Sequence, residues 1–200
     1  MSQILKAVCL SLALLAFSSA HADVAPDVLA RNTTNEVVQI VKQDEDIKSG
    51  RSSKVYALVE SKILPHFDFE QMTKLAVARN WIDATPEQRQ RLIDEFRSLL
   101  VRTYAASLSS VAEYKIDFKP LRMRSGDTDV TIYSEVSKPG APPITIDYRM
   151  EKVGDGWKVY DVQVDNVSLV TVYRNSFSSE VRKGGIDGLI QALSRRNRHK

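Results

Sequence analysis

The fold is decided by one continuous stretch of sequence, ITIDYRMEKVGDGWKVYDVQV, residues 144–164. Apolar and polar residues alternate from Ile144 to Met150, and this period of two is typical of a strand with one buried face. Gly154-Asp155-Gly156 is a turn signal, and the run from Trp157 to Val164 is rich in strand-favouring residues. Large residues point to both faces of this second run. The stretch therefore predicts a β-hairpin whose second strand is covered on both sides.

Two earlier runs, Tyr114–Phe118 and Val130–Val136, show the same alternation of apolar and polar residues. Turn signals separate the runs at Ser125-Gly126-Asp127 and at Lys138-Pro139-Gly140. Four successive strands with short connections predict an antiparallel meander. One face of such a sheet must pack on another layer.

Helical patterns flank the predicted sheet on both sides. The clearest helix begins at Thr85-Pro86, where Gln88 completes a capping box and Pro86 suits the first helical position. Apolar residues then recur every three or four positions as far as Leu108. Further helices are predicted over about Pro26 to Asp46, from Ser52-Ser53 to Pro65, from Asp68 onward, and from Val167 to Leu193 with a break at Gly184-Gly185. The predicted fold is α+β, a four-stranded antiparallel meander wrapped by helices.

The first residues carry the pattern of an export signal. Lys6 precedes an apolar run from Ala7 to Phe17, and Ala20-His21-Ala22 is a small-residue cleavage site. An uncleaved membrane anchor is the alternative, and the short apolar run argues against it. We expect residues 1–22 to be a cleaved signal peptide that directs the protein to the periplasm.

One domain is predicted for residues 23–200. It comprises a helical part at 23–110, the sheet at 111–165, C-terminal helices at 166–195 and a basic tail at 195–200. The chain's one cysteine, Cys9, lies in the predicted signal, so the exported chain must be stabilised by its core without disulfides.

Charge gives little support for a nucleic-acid partner, because the net charge is only +3. The basic tail, Arg195 to Lys200, is interpreted as a solvated segment. The alternative is a weak attraction to anionic lipid or to an acidic partner.

Motifs for catalysis are hard to find in this sequence. His66 and Asp68 have the spacing in which a carboxylate orients an imidazole, but no nucleophile is nearby in sequence, so we interpret His66 as a loop residue. Glycine-rich phosphate loops, a nucleophile elbow and a metal-ligand cluster are not found. These observations favour a binding protein without a metal or cofactor over an enzyme.

The residues themselves resemble a known family, the MlaC or toluene-tolerance (Ttg2-type) periplasmic phospholipid-binding proteins. The most specific match is the ordered series of segments 146–150, 156–162, 167–170 and 173–177. Two positions depart from the family pattern. Val77-Ala78 stands where Leu-Gly is common, and Asn166 stands where Gly is common, although Asn tolerates a left-handed backbone.

The resemblance implies both a fold and a transport role. It implies an NTF2-like arrangement with an apolar cavity between sheet and helices, phospholipid as cargo, and no cofactor. It also implies two partners, an inner-membrane ABC transporter with an MCE-domain ring and an outer-membrane lipoprotein–porin complex. The implied function is a shuttle that returns misplaced phospholipid inward and so maintains outer-membrane lipid asymmetry. We expect a monomer.

Apolar and aromatic residues of the predicted helices and strands are the candidates for lining such a cavity, and we expect some of them to prove ordinary core. The candidates are Met72, Leu75, Trp81, Phe96, Leu99, Tyr104, Tyr148, Met150, Trp157, Val159, Val167, Val170 and Tyr173. Arg149 and Arg174 lie in the matching segments and are candidates for contact with the headgroup phosphate. Their alternative role is to pair with Asp147 or Asp161.

Two other functions remain open from the sequence alone. The first is an NTF2-like enzyme for an apolar substrate, with Asp147 or Asp161 as a base in an apolar pocket. The second is a periplasmic chaperone that binds apolar segments of exported proteins. Bound peptide would identify the chaperone, and turnover abolished by Asp161→Asn would identify the enzyme.

Overall fold

The computed structural model describes residues 24–198, so the predicted signal peptide and the last two residues of the basic tail lie outside the described residues. The helices are α1 (Pro26–Gln43), α2 (Glu45–Lys48), α3 (Ser52–Leu58), α4 (Phe69–Val77), α5 (Pro86–Tyr104) and α6 (Leu169–Arg198). The strands are β1 (Lys115–Phe118), β2 (Asp129–Ser137), β3 (Ile144–Val153), β4 (Gly156–Val164) and β5 (Val167–Ser168). Within residues 24–198, no helix has both the length and the apolar character needed to cross a membrane.

The sheet is an antiparallel meander in the order β1-β2-β3-β4-β5, which confirms the predicted α+β fold. It has one strand more than predicted, because the chain reverses directly after β4. Asp165 and Asn166 both have positive φ angles, 49° and 65°, as a tight two-residue hairpin turn requires. The turn pairs Val164 with Val167, and it also confirms that Asn166 adopts a left-handed backbone.

The predicted capping signals start the helices where the sequence places them. At the start of α5 the Gln88 backbone N–H donates to Thr85 Oγ1 over 3.2 Å, and Gln88 Oε1 accepts from the Thr85 N–H over 3.0 Å. At the start of α4 the Gln71 N–H donates to Asp68 Oδ1 over 2.8 Å. These bonds satisfy backbone donors that a helix leaves free in its first turn.

The first helices are more broken than the apolar periodicity predicts. The first helix ends at Gln43, short of the predicted Asp46, because the Asp44 side chain accepts from the Asp46 and Ile47 N–H groups and starts α2. After α3 the backbone continues as a π-helical turn, Val59–Ile63, and a 3₁₀ turn, Leu64–His66. Apolar spacing alone does not distinguish these tighter and wider turns from an α-helix.

Another 3₁₀ segment, Ala105–Glu113, carries the chain from α5 into the sheet. The C-terminal helix α6 is interrupted, as predicted, at Gly184-Gly185, where both backbones leave the helical region. Gly185 has a φ of 65°, which glycine adopts without a steric penalty. The interruption lets the last part of α6 fold back, so that the Asn197 side chain donates to the Glu95 carbonyl of α5.

Three apolar clusters hold these layers together. The helix cluster joins α4, α5 and α6 around Phe96, whose ring meets those of Tyr173 and Phe177 at centroid distances of 5.0 Å. Tyr160 of β4 also belongs to this cluster, so the helices cover one face of that strand. A second cluster joins α1, α3 and the 3₁₀ segment after α5, and a third lies on the other sheet face around Ile132 and Met150.

Ala78, directly after α4, has a strained backbone. Its φ of 55° and ψ of −133° fall in a region that glycine adopts freely and that other residues occupy at a cost. This is the position where the sequence departs from the Leu-Gly pattern. Trp81 nevertheless reaches the helix cluster and is buried.

Replacing Ala78 with glycine relieves this strain, so Ala78→Gly is expected to raise the free energy of unfolding by about 1 kcal/mol. Ala57 is exposed within α3 and has an ordinary helical backbone. The matched change Ala57→Gly is expected to lower the free energy of unfolding by about 1 kcal/mol. Urea denaturation measures both values. Destabilisation of similar size by the two changes would contradict a strained backbone at Ala78.

Candidate functional site

A cavity of about 580 Å³ lies between one face of the sheet and the helical segments that cross it. Its size is within the range of about 300 to 1,000 Å³ that is usual for ligand sites. The lining residues are Leu29, Ala30, Thr33, Thr34, Val37, Val59, Ile63, Leu64, His66, Phe67, Phe69, Met72, Leu100, Val101, Tyr104, Ala105, Ser107, Leu108, Ser110, Val111, Tyr114, Ile116, Val136, Ile144, Ile146, Tyr148, Met150, Val159, Val162, Val164 and Leu169.

The side chains on one face of the sheet form one wall of the cavity. Ile144, Ile146, Tyr148 and Met150 of β3 are spaced two apart and line the cavity together, because alternate side chains of a strand share a face. The register places Tyr148 opposite Val162 of β4. The antiparallel pairing therefore aligns apolar residues of neighbouring strands into a continuous surface.

The opposite wall is helical and irregular. Leu29, Thr33 and Val37 lie four residues apart and present one face of α1. The turns after α3 contribute Ile63, among other residues. The segment after them is attached to the free edge of β4, where the Asp68 N–H donates to the Val159 carbonyl over 2.9 Å. This bond fixes the helical wall relative to the sheet.

Hydrocarbon side chains dominate the lining, and no Lys, Arg, Asp or Glu among the described residues belongs to it. The polar groups are hydroxyls and one imidazole, His66. Burial lowers the pKa of His66 from its ordinary value of 6.5, and the nearby charge of Lys158 lowers it further, while Glu36 acts in the opposite direction. The cavity is therefore suited to uncharged, apolar ligand groups.

The cavity is partly open to solvent, and its exposed lining residues mark the opening. Tyr104 lines the cavity with 42% of its surface exposed, and Ser107, one turn further along, is also exposed. Both residues lie where α5 passes into its 3₁₀ extension. A ligand can therefore leave a polar end in water at this mouth and place its apolar part inside.

Five of the sequence-predicted residues lie together in the cavity wall: Met72, Tyr104, Tyr148, Met150 and Val159. The structure places the other candidates elsewhere. Trp157 packs in the third cluster, on the sheet face around Ile132 and Met150, and Val167 of β5 is exposed. The helix cluster takes the remaining six: Leu75, Trp81, Phe96, Leu99, Val170 and Tyr173. Apolar periodicity alone does not distinguish a core face from a cavity face, because both exclude water.

The two candidate headgroup arginines do not line the cavity. The Arg149 guanidinium lies over the ring of Tyr160, with its Cζ atom 4.8 Å from the ring centroid. Arg174 Nε donates to the Leu75 carbonyl over 3.0 Å. Both contacts hold the side chains against the helix-covered side of the protein.

The candidate catalytic carboxylates also have structural surroundings outside the cavity. Asp161 accepts from the Ser168 hydroxyl over 2.6 Å and from the Val170 N–H over 3.2 Å, and so caps the start of α6. Asp147 is buried on the sheet face opposite Tyr148, within 3.4 Å of the Ser134 N–H. Neither carboxylate is placed to act on a ligand in the cavity. Among residues 24–198, no group of three or more His, Cys, Asp or Glu side chains is arranged to hold a metal ion.

The sequence reasoning missed the helical wall. None of the α1 residues was a candidate, although Leu29, Thr33 and Val37 have the four-residue spacing of a common face. Ile144 and Ile146 were also missed, and the alternation that identified Tyr148 and Met150 includes them. His66, interpreted as a loop residue, does lie in a turn, but it borders the cavity.

Sheet, helices and apolar cavity together define the class of this protein: an α+β protein with an internal site for a hydrophobic ligand. The family model for MlaC protein matches residues 31–195. The chain therefore belongs to the MlaC family, and the resemblance read from its sequence is confirmed.

Individual relatives agree with this assignment. A solved structure of a phospholipid-binding protein from Ralstonia solanacearum, in complex with a phospholipid, is 40% identical, has a TM-score of 0.79, and covers 86% of this chain and 96% of its own. The toluene tolerance protein Ttg2D of Pseudomonas putida is 22% identical over 81% of this chain and 75% of its own length. The intermembrane phospholipid transport system binding protein MlaC of Haemophilus influenzae is 21% identical over 90% of this chain and 86% of its own length.

The lowered pKa of His66 predicts a pH dependence of stability. Because the folded protein binds a proton at His66 less readily than the unfolded chain does, stability is lost as the pH falls through 6.5 towards the lower folded pKa. Urea denaturation at about pH 8 and about pH 5.5 is expected to show a larger loss of stability for the wild type than for His66→Gln. The same loss in both proteins would contradict this account of His66.

Proposed function

We propose that this protein is a periplasmic phospholipid carrier, the substrate-binding component of an ABC-type transport system that maintains outer-membrane lipid asymmetry. The observation that carries the proposal is the cavity between sheet and helices, which is largely apolar, has no Lys, Arg, Asp or Glu among its described lining residues, and is partly open to solvent. The phospholipid complex of the Ralstonia solanacearum relative supports phospholipid as the cargo.

The cargo's own chemistry explains why a carrier is needed. Each methylene group that leaves water gains about 0.8 kcal/mol, so a lipid with two long acyl chains cannot cross an aqueous compartment unprotected. The free energy of the lipid in the carrier must therefore be close to its free energy in a bilayer. Binding much tighter than this would prevent release, and binding much weaker would prevent loading.

Release is proposed to depend on partner proteins. A ligand enclosed between two layers leaves when a partner favours a conformation in which the layers are further apart. The proposed partners are an inner-membrane ABC transporter with an MCE-domain ring and an outer-membrane lipoprotein–porin complex. The name of the Haemophilus influenzae relative, a binding protein of an intermembrane phospholipid transport system, supports this assignment. In this proposal the chemistry is binding and handover, without catalysis.

Native protein is expected to carry its cargo through purification. Organic extraction followed by mass spectrometry should detect phospholipid in near-stoichiometric amount, and protein freed of lipid should take up labelled phospholipid from vesicles. Protein that holds no lipid and takes up none would contradict the proposal. Bound peptide in place of lipid would support the chaperone alternative.

A charge placed in the cavity wall is expected to abolish loading. Val162→Glu puts a carboxylate against the lipid chains, and a buried charge without a partner is so unfavourable that bound phospholipid should fall by about tenfold or more. Gln163→Glu is the matched control, because the next residue of β4 points to the opposite face of the sheet. Extracted phosphate per protein measures the difference. Equal lipid content in the two variants would contradict a cargo site at the sheet wall.

A further inference from the structure

Three tyrosines, Tyr148, Tyr160 and Tyr173, are buried or half-buried, and the surroundings of their hydroxyl groups differ. The Tyr160 hydroxyl donates to Asp129 Oδ2 over 2.5 Å. The pKa of Tyr173 is raised first by burial and then by the neighbouring Tyr104 hydroxyl. The Tyr148 hydroxyl has no hydrogen-bond partner within residues 24–198. It is not one of the fully buried unpaired atoms there, which are Thr145 Oγ1 and Asn197 Oδ1, so it stays accessible from the cavity that its side chain lines. A tyrosine in a protein interior usually finds a partner for its hydroxyl, so an accessible hydroxyl without a protein partner is available to a ligand.

The ring of Tyr148 is held in place on the sheet wall. It stacks on Phe118 of β1 with ring centroids 6.4 Å apart, and Arg31 of α1 lies over that phenylalanine. The side chain lines the cavity directly. Its hydroxyl is therefore the one hydroxyl among the described strand residues that line the cavity, and it borders the space that the cargo occupies in the proposed function.

The electrostatics of this position make the hydroxyl a donor. Burial raises the pKa of Tyr148 to about 12, and the neighbouring carboxylate of Asp147 contributes in the same direction. The phenol therefore keeps its proton at neutral pH. It offers one hydrogen to an acceptor on a ligand.

A diacyl phospholipid carries two kinds of strong acceptor, the phosphate oxygens and the carbonyl oxygens of its acyl esters. A phosphate in this part of the cavity would be a buried anion, and no lysine or arginine among the described lining residues is present to neutralise it. Ester carbonyls are neutral and lie on the chain side of the phosphate. They therefore suit a cavity lined by hydrocarbon and hydroxyl groups.

We propose that the Tyr148 hydroxyl donates a hydrogen bond to an acyl-ester carbonyl of the bound lipid, and so makes this cavity selective for ester-linked over ether-linked phospholipid. The proposal rests on the proposed carrier function and specifies its substrate class. The cavity alone favours any chain of suitable length. The hydroxyl adds a preference for an ester over an ether as the bond that joins the chain to glycerol.

The test compares two phospholipids with the same headgroup and chain length, one with acyl esters and one with alkyl ethers. Lipid-free protein is mixed with vesicles that hold equal amounts of both, and the bound lipids are extracted and quantified. A single neutral hydrogen bond predicts a preference of about three- to tenfold for the ester lipid in the wild type. In Tyr148→Phe, which keeps the ring, the ratio should fall to about one.

Tyr133→Phe is the matched control, because Tyr133 is exposed on the other face of β2, and its ratio should equal that of the wild type. Equal uptake of both lipids by the wild type would overturn the proposal without the use of any variant. A ratio that Tyr148→Phe leaves unchanged would overturn it too, because the preference would then arise elsewhere. Uptake of neither lipid by the wild type would instead overturn the carrier function on which the proposal rests.

Discussion

The whole structure depends on the separation between the inner face of the sheet and the helical wall that crosses it. Each wall has an apolar cluster behind it, and the two walls meet only along part of their length, where Leu29 and Phe67 pack against the sheet around Met150. The sheet is supported through β4. A β-bulge there, where the register with β3 shifts between Arg149 and Met150, lets Tyr160 pack into the cluster of α4, α5 and α6 while Val162 faces the cavity. The opposite wall is supported by the cluster around Val41 and Leu58. This arrangement leaves an apolar space that the core of neither wall fills.

Charge is kept out of this space by the alternation of the strands. Tyr148 faces the cavity, and its neighbours Asp147 and Arg149 lie on the other face of β3, where Arg149 stacks on Tyr160. Asp161 of β4 is likewise turned away and caps α6. The carboxylates that the sequence offered as candidate catalytic groups therefore have structural roles. The uncharged cavity allows hydrocarbon to enter without the displacement of strongly hydrated groups.

Much of the fold could be predicted from the sequence because its signals are local. The capping box at Thr85, the alternation from Ile144 to Met150 and the break at Gly184-Gly185 all appear where the sequence places them. In β4 a bulge interrupts the alternation, so that Val159 and Val162 both line the cavity. The fifth strand was missed because it consists of two residues and depends on a turn at Asp165-Asn166. The turns after α3 were missed because their apolar spacing is compatible with an α-helix.

The cavity was harder to predict than the fold for a physical reason. Phe96 and Met150 are both buried, but only Met150 faces the space between the layers. The distances between layers decide which apolar faces pack together and which border a cavity. No local sequence pattern encodes those distances. Arg149 and Arg174 were candidates for headgroup contact because they lie in the matching segments, and in the structure their side chains contact Tyr160 and the Leu75 carbonyl.

The most direct test of the central claim is a crystal structure of the protein loaded with a phospholipid whose acyl chains carry bromine. The account predicts anomalous bromine signal between the sheet and α1, close to Ile146, Val162 and Thr33. Bromine signal on the outer surface of the helices, or an interior closed around these residues with the lipid bound elsewhere, would contradict it.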